Sequence, residues 1–365
     1  MKDKVKSQVS SVQCNWSRLL FIIVFLLFAI YCSPFSCYAD DIPSKIALVM
    51  DGKSGKILYA KNPHLRVPPA STTKLLTAMV VLDRLSLDFV VTISENAAET
   101  PSVTPHLNKG ERYTVKDLLY LALMRSVNSA AVALAEATAG SEEKFVNLMN
   151  EKVYKIGLEN TRFINASGLP GPEQYITAFD LAIIMKESLR YPTIREIINT
   201  KEKEIYSLDG RKLHIKNTNN LLWRNDNILG GKTGYTKAAG HCLVCAEDRD
   251  NNLLISVILG ETVRDNLWES TSILLSKGSD VLNDKIEPLI YLSNAKSNPV
   301  VFASYKTANK DFSEKNKKIV SKKGKKSLNI AKKTTKKTSK ILAKKEKKTR
   351  NLTVYKRITK KEVKS

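Results

Sequence analysis

The chain is poor in the residues from which metal and redox sites are built. It has 4 His and 5 Cys in 365 residues. His64, His106, His214 and His241 stand apart in no metal-ligand spacing, so no metal is expected, and no Ser-His-Asp triad follows from spacing. Cys14, Cys32 and Cys37 lie near the start, leaving only Cys242 and Cys245 in the body. That pair sits in an alternating, strand-like run. Residues i and i+3 of a strand point to opposite faces, which makes a local disulfide geometrically poor, so two buried free thiols are expected. No Gly-rich loop leads from a strand into a helix, so no phosphate cradle and no nucleotide cofactor is expected. Acidic residues are scarce only locally. Residues 301–365 carry 24 Lys+Arg against 4 Asp+Glu, residues 1–39 carry 4 against 1, and residues 40–300 hold 31 of each. The formal charge of +23 therefore belongs to a neutral body with a cationic tail. With 43% hydrophobic residues the body can bury a core of domain size.

The two ends read differently from the body. Lys2, Lys4, Lys6 and Arg18 precede an apolar run over 19–31, 13 residues that are too short to cross a bilayer comfortably as a helix. Cys37-Tyr38-Ala39 follows, with small residues at its first and third places. This is the pattern of a secretory signal peptide over 1–39, cleaved after Ala39, with an uncleaved anchor as the alternative. Export to the periplasm, the cell envelope or the exterior is expected. Residues 291–365 form a Lys-rich, low-complexity tail, with Lys322-Lys323-Gly324-Lys325-Lys326 and further Lys pairs up to Lys348. Such a segment cannot bury enough surface to offset its ordering entropy and is expected to be disordered. It reads either as a solvated, neutral tail or as a binder of anionic lipid head groups or envelope polymers. Export leaves no nucleic-acid partner expected.

Residues 40–290 form the expected folded domain. Residues 45–50 and 57–60 read as an antiparallel hairpin around Asp51-Gly52-Lys53-Ser54-Gly55. The run over 71–82 is apolar on most sides, which predicts a buried helix. Thr114 and Asp117 resemble a capping box before a helix over 118–124. Further helices are expected over 130–140, 180–188 and 268–275. Strands are expected over 231–233, 241–247 and 253–259, the last two joined at Arg249-Asp250-Asn251-Asn252. Strands at both ends with helices between them predict an α+β fold, an antiparallel sheet with helices packed on both faces.

Three short motifs carry chemistry. Ser71-Thr72-Thr73-Lys74 opens the buried helix, so the lysine amine shares a face with the serine hydroxyl one turn back. An apolar wall and a helix N-terminus both disfavour a charged lysine, and a neutral amine is the base a serine nucleophile needs. Ser141…Lys144 and Ser293…Lys296 fit the same bare pattern without the Pro-Pro lead and the buried helix. Ser126-Val127-Asn128 lies between two helices, where a hydroxyl and a carboxamide can pass a proton and hold an amide. Helix capping by Asn128 or Ser129 is the plain alternative. Lys232-Thr233-Gly234 lies on a strand, where a lysine and a hydroxyl suit a carboxylate and the glycine permits close backbone approach.

The order and separation of these motifs resemble the penicillin-recognising serine acyltransferases. Residues 50–59, Pro69-Ala70-Ser71-Thr72-Thr73-Lys74, Asn165-Ala166-Ser167-Gly168-Leu169 and Gly231-Lys232-Thr233-Gly234-Tyr235-Thr236 look like the low-molecular-weight D-alanyl-D-alanine carboxypeptidases. The resemblance implies the DD-peptidase/β-lactamase fold and a peptidoglycan stem peptide ending in D-Ala-D-Ala as substrate. It also implies a peptidase that uses no cofactor and is acylated by β-lactams. It implies Ser71 as nucleophile, Lys74 as base, and Ser126 as proton relay to the leaving D-alanine. Asn128 would hold the substrate amide or orient Lys74. Lys232 and Thr233 would bind the terminal carboxylate, Gly234 would admit it, and the N–H groups of Ser71 and Tyr235 would form the oxyanion hole. Relatives often carry Gly where Val127 stands and an Arg after the 253–259 strand, where Glu261 and then Arg264 occur here. A DD-endopeptidase using the same residues and a non-catalytic wall-binding protein acting through its tail are the competing functions. Intact-mass measurement of the exported protein should find Asp40 as its first residue. A mature chain that keeps residues 1–39 would replace the cleaved signal with an anchor.

Overall fold

The computed structural model describes residues 42–291. Residues 1–39 and nearly all of the 291–365 segment, with their expected signal peptide and disordered tail, lie outside the described residues. In chain order the elements are β1 (Ile46–Asp51), β2 (Ile57–Lys61), α1 (Lys74–Leu82), β3 (Val90–Thr92), α2 (Glu95–Glu99), β4 (Arg112–Thr114), α3 (Val115–Met124), α4 (Asn128–Ala139) and α5 (Glu142–Lys155). There follow α6 (Ala178–Ser188), α7 (Pro192–Asn199), β5 (Glu202–Tyr206), β6 (Lys212–Lys216), β7 (Ile228–Thr236), β8 (Gly240–Arg249), β9 (Asn252–Glu261), α8 (Arg264–Leu282) and β10 (Leu289–Tyr291). A 3-10 turn over Ala70–Thr73 runs directly into α1.

Six strands make the main sheet in the order β10-β2-β1-β9-β8-β7, antiparallel except for the short parallel pairing of β10 with β2. Local turn chemistry sets the two hairpins. The Asp51 carboxylate accepts from the backbone N–H of Lys53 at 2.9 Å and of Ser54 at 3.2 Å, closing the β1–β2 turn. At the β8–β9 turn Asp250 (φ +53°) and Asn251 (φ +61°) both take left-handed backbone, the geometry of a two-residue hairpin loop that Asp and Asn tolerate.

Register then decides which side chains reach which layer. Leu48, Val257, Val244 and Lys232 lie opposite one another across β1, β9, β8 and β7 and share one face. Leu48, Val257 and Val244 join the core of the helical layer. On the other face Val49 and Leu254 meet α8, where Gly278 lets the helix approach: a Cβ there would come 2.9 Å from Val49 Cγ2. Helices thus cover both faces of an antiparallel sheet, as the sequence predicts. Cys242 and Cys245 are buried free thiols, and their register partners place them on opposite faces, as expected for i and i+3. Burial pushes them up to about 11 and about 12.

The helical layer is organised around α1, which packs against α3 to α7. Leu75, Leu76, Ala78, Met79, Val80 and Val81 are all buried, which is why the helix lacks a polar face. Thr114 caps α3 by accepting from Asp117 N at 3.1 Å, as expected. Several elements went unread in the sequence. Among them, α5 is a surface helix with one apolar stripe of Phe145, Met149 and Val153. The β3–β4 and β5–β6 pairs are short, and the β5–β6 pair is mostly charged outside Ile205, Leu213 and Ile215. The strand expected over 231–233 spans Ile228–Thr236, and the helix expected over 268–275 spans Arg264–Leu282. β10 ends at Tyr291, so the domain boundary expected at 290 lies at the edge of the described residues. Because α1 has no solvent-facing side to relax into, Leu76→Ala should lower unfolding free energy by about 2–5 kcal/mol in urea titration.

Candidate active site

Three irregular stretches bring the three motifs together. Pro68-Pro69 delivers Ala70 with φ +48°, an unfavourable backbone for a residue with a Cβ. Thr72 and Thr73 then donate their hydroxyls to Pro69 O at 2.7 Å and Ala70 O at 2.8 Å, tightening the turn. This leaves Ser71 half-buried at the turn and carries Lys74 into the core. Between α3 and α4, Ser126 holds φ +69°. Alongside runs β7, where a Cβ on Gly234 would come 2.9 Å from Ser71 N, so only glycine lets this strand lie so close to the turn.

The geometry is specific. Lys74 Nζ lies 2.9 Å from Ser71 Oγ, 2.7 Å from Asn128 Oδ1 and 2.6 Å from the carbonyl of Ser167. Asn128 Nδ2 donates to Pro101 O at 2.7 Å, which turns its carbonyl oxygen toward the lysine. Lys232 Nζ donates to Ser126 Oγ at 2.9 Å and to Thr233 O at 2.8 Å. Thr233 Oγ1 lies 2.6 Å from Thr218 Oγ1, and Thr218 donates to Met124 O at 3.2 Å, tying β7 to the turn that holds Ser126. Both lysines are almost wholly buried, at 1% and 0% exposed, with no salt bridge among the described residues. Burial, and then the neighbouring Lys232 charge, hold Lys74 well below the ordinary lysine range. Burial alone lowers Lys232 to about 7.

Hydrogen-bond counting shows what this arrangement can do. A neutral amine has two N–H groups and one lone pair. Asn128 Oδ1 and Ser167 O can only accept, so they take the two N–H groups and leave the lone pair for the Ser71 hydroxyl. Once the proton crosses, the third N–H points back at Ser71 Oγ. Both protonation states are satisfied with no heavy atom relocated, as a general base paired with a nucleophile requires.

All eight sequence-selected residues, Ser71, Lys74, Ser126, Asn128, Lys232, Thr233, Gly234 and Tyr235, fall in the motif stretches gathered here. The capping alternative fails: the N-cap of α4 is Val127 and makes no side-chain cap, while Asn128 is turned to Lys74. Val127 is fully buried in the core and so does not narrow the site. The competing Ser141…Lys144 motif resolves into ordinary local structure, because Ser141 caps α5. Ser293…Lys296 lies outside the described residues. Glu261 is bound to the Ser44 hydroxyl and accepts from Thr262 N and Val263 N. Arg264 opens α8; burial, and then the Arg264 charge, lower the pKa of His241, whose ring stacks on Tyr235 at 4.4 Å. Sequence reasoning assigned no role to Ser167, Thr218 or Ser102. Ser102 Oγ accepts from Asn128 N at 2.8 Å. Asn165-Ala166-Ser167-Gly168-Leu169 was a recognisable motif, but Ser167 acts through its carbonyl, which every residue possesses. Two clefts, of about 610 Å³ beside Arg195 and Leu229 and about 450 Å³ beside Phe89 and Ala133, include none of the eight sequence-selected residues.

The lowered Lys232 pKa has a stability signature. The folded value of about 7 lies below the ordinary 10.5, so between these the unfolded chain binds the extra proton. Stability therefore rises with pH across that window, and as pH falls the contribution lost from 10.5 downward is fully gone below about 7. Between pH 7 and 9 the wild type should gain stability relative to Lys232→Met by at most about 1.4 kcal/mol per pH unit, measured by urea unfolding. Parallel curves would mean that Lys232 is not held neutral.

Residues 33–263 match the Peptidase S11 family, described as D-alanyl-D-alanine carboxypeptidase. The D-alanyl-D-alanine carboxypeptidase DacF of Bacillus subtilis is 36% identical over 60% of this chain and 57% of its own length. A D-alanyl-D-alanine endopeptidase of Pseudomonas aeruginosa is 41% identical over 56% of this chain and 67% of its own. The chain thus spans less than two thirds of the Bacillus relative. The solved Streptomyces K15 DD-transpeptidase is 30% identical with a TM-score of 0.62, covering 65% of this chain and 97% of that one. With the family match running through the serine-lysine turn, the Ser-x-Asn turn and the β7 strand, the chain belongs to the Peptidase S11, D-alanyl-D-alanine carboxypeptidase, family.

Proposed function

We propose that the protein is an exported serine D-Ala-D-Ala carboxypeptidase that trims peptidoglycan stem peptides through an acyl-enzyme. The observation that carries this reading is the buried Lys74 amine, without a carboxylate partner among the described residues, 2.9 Å from Ser71 Oγ. In this reading Ser71 Oγ attacks the carbonyl carbon between the two terminal D-alanines while its proton passes to Lys74. The N–H groups of Ser71 and Tyr235 stabilise the oxyanion. The C–N bond then breaks, and the proton returns to the leaving amine through the Ser126 hydroxyl, held by Lys232. Water attacks the ester with Lys74 again taking the proton, which goes back to Ser71 Oγ as the shortened peptide leaves.

Lys232 and Thr233 bind the terminal carboxylate. A lysine poised near 7 responds to such a ligand, because an anion beside it favours its charged form. Asn128 orients Lys74 while Gly234 keeps β7 close to the serine. β-Lactams enter as substrate mimics and remain on Ser71. The 301–365 segment, with its 24 Lys+Arg, associates with anionic lipid head groups or envelope polymers after export. A second reading, endopeptidase cleavage of D-Ala cross-links by the same residues, is supported by the 41% identity to a relative named for that activity.

Fluorescent penicillin should label the wild type, with the adduct mapped to Ser71 by mass spectrometry, and should leave Ser71→Ala unlabelled. Lys74→Met should slow acylation by about 10²- to 10⁴-fold, the usual contribution of a general base. The rate should also fall toward acid pH, as Lys74 is protonated through its lowered pKa. Folded wild type that takes no label would sink the enzyme reading. Release of D-alanine from a pentapeptide, set against cleavage of cross-linked dimers, separates the two peptidase readings.

A further inference from the structure

We propose that Glu142 is a positioning residue for Lys74, acting through the loop that presents the carbonyl of Ser167. The inference deepens the acyl-enzyme reading, because it rests on Lys74 being the base for Ser71. Of the two obligate acceptors on Lys74, Asn128 Oδ1 is set by Pro101 and Ser102, leaving the question of what sets Ser167 O. The loop is gripped on both peptide groups of Ala166. Its N–H donates to Glu142 Oε1 at 2.8 Å, and its C=O accepts from Thr77 Oγ1 at 2.7 Å. Thr77 lies on α1 itself, one turn beyond Lys74. Asn165 Oδ1 accepts from Gly168 N at 2.7 Å, and Gly168 has φ +82°, where a Cβ would overlap Ala70 O. The next carbonyl after the gripped residue is that of Ser167, 2.6 Å from Lys74 Nζ.

The consequence follows from donor counting. If Ser167 O moves off, one amine N–H loses its acceptor and can turn to Ser71 Oγ. The serine oxygen then accepts instead of donating, so the lone pair no longer faces the proton to be removed. The fault lies in the acylation step and not in binding of the acylating ligand. Glu142 stands at the start of α5, immediately after the capping Ser141, and reaches 24 positions along the chain to the loop. The Ser141…Lys144 motif is chemically idle, yet the helix start it marks supplies the carboxylate that steadies the true serine-lysine pair.

The test is time-resolved labelling of the full chain with fluorescent penicillin over a concentration series, which separates the saturating acylation rate from the half-saturating concentration. Glu142→Ala should lose about ten- to a hundredfold in saturating rate, with half-saturation changed by less than about twofold. Glu142→Gln keeps an acceptor oxygen and should stay within about threefold of wild type. Thr77→Val should slow acylation in the same way and Thr77→Ser should restore it, which carries the test if Glu142→Ala folds poorly. An alanine variant as fast as wild type, a glutamine variant as slow as alanine, or a loss shared equally by rate and half-saturation overturns the proposal. Failure of the wild type to acylate would instead overturn the parent reading.

Discussion

A lysine amine brought to 1% exposure, with no carboxylate to meet it among the described residues, is the constraint on which the rest of this structure depends. Taking a charged ammonium out of water costs several kcal/mol even after relaxation, so the group gives up its proton instead. The neutral state is produced by the same packing that stabilises the fold. An α1 that lacks a solvent-facing polar side requires a shell of helices, and that shell desolvates Lys74. Core and site are therefore one arrangement, and the lysine supplies the only titratable group on a helix otherwise made of aliphatic residues, Thr77 and Met79.

What surrounds the amine is held in backbone conformations that a free chain avoids. Ala70 and Ser126 have positive φ although both carry a Cβ, at a cost on the order of 1–3 kcal/mol each. Those costs are offset by the neighbouring hydrogen bonds. Ser102 and Pro101 fix Asn128, Thr218 joins Thr233 to Met124, and Arg211 donates to His106 O at 3.0 Å and to Glu111 at 2.7 Å. The Arg211 contacts steady the 101–111 stretch from the direction of the β5–β6 hairpin. Strain and support fall in different parts of the chain, and only the folded state brings them together.

The sequence was legible where one physical signal dominated. The 71–82 run was readable because Leu, Ala and Met dominate a stretch longer than an ordinary strand and leave no polar face. The β8–β9 hairpin was readable because Asp250 and Asn251 are residues that accept left-handed backbone. Elements of weaker signal escaped: α5 has one narrow stripe in a polar context, and β5–β6 shows an exposed face of Glu202 and Glu204 set against Lys212 and Lys216. In the site, residues that act through a distinctive side chain at a motif spacing were found. Ser167, which acts through its carbonyl, and Thr218, which acts 15 positions from its partner Thr233, carried no such mark.

By itself the sequence determined the serine-lysine spacing, the glycine beside it and the apolar helix behind it, because these are fixed by helical periodicity and by what a Cβ excludes. Tertiary structure decided what surrounds the amine: which two oxygens take its N–H groups, which second lysine lies near, and how completely water is removed. Those are distances between segments 54 to 106 positions apart, and no local preference of the chain encodes them. A lysine's charge state depends on its surroundings in three dimensions, so the reactive form of Lys74 exists only once the whole domain has closed around it.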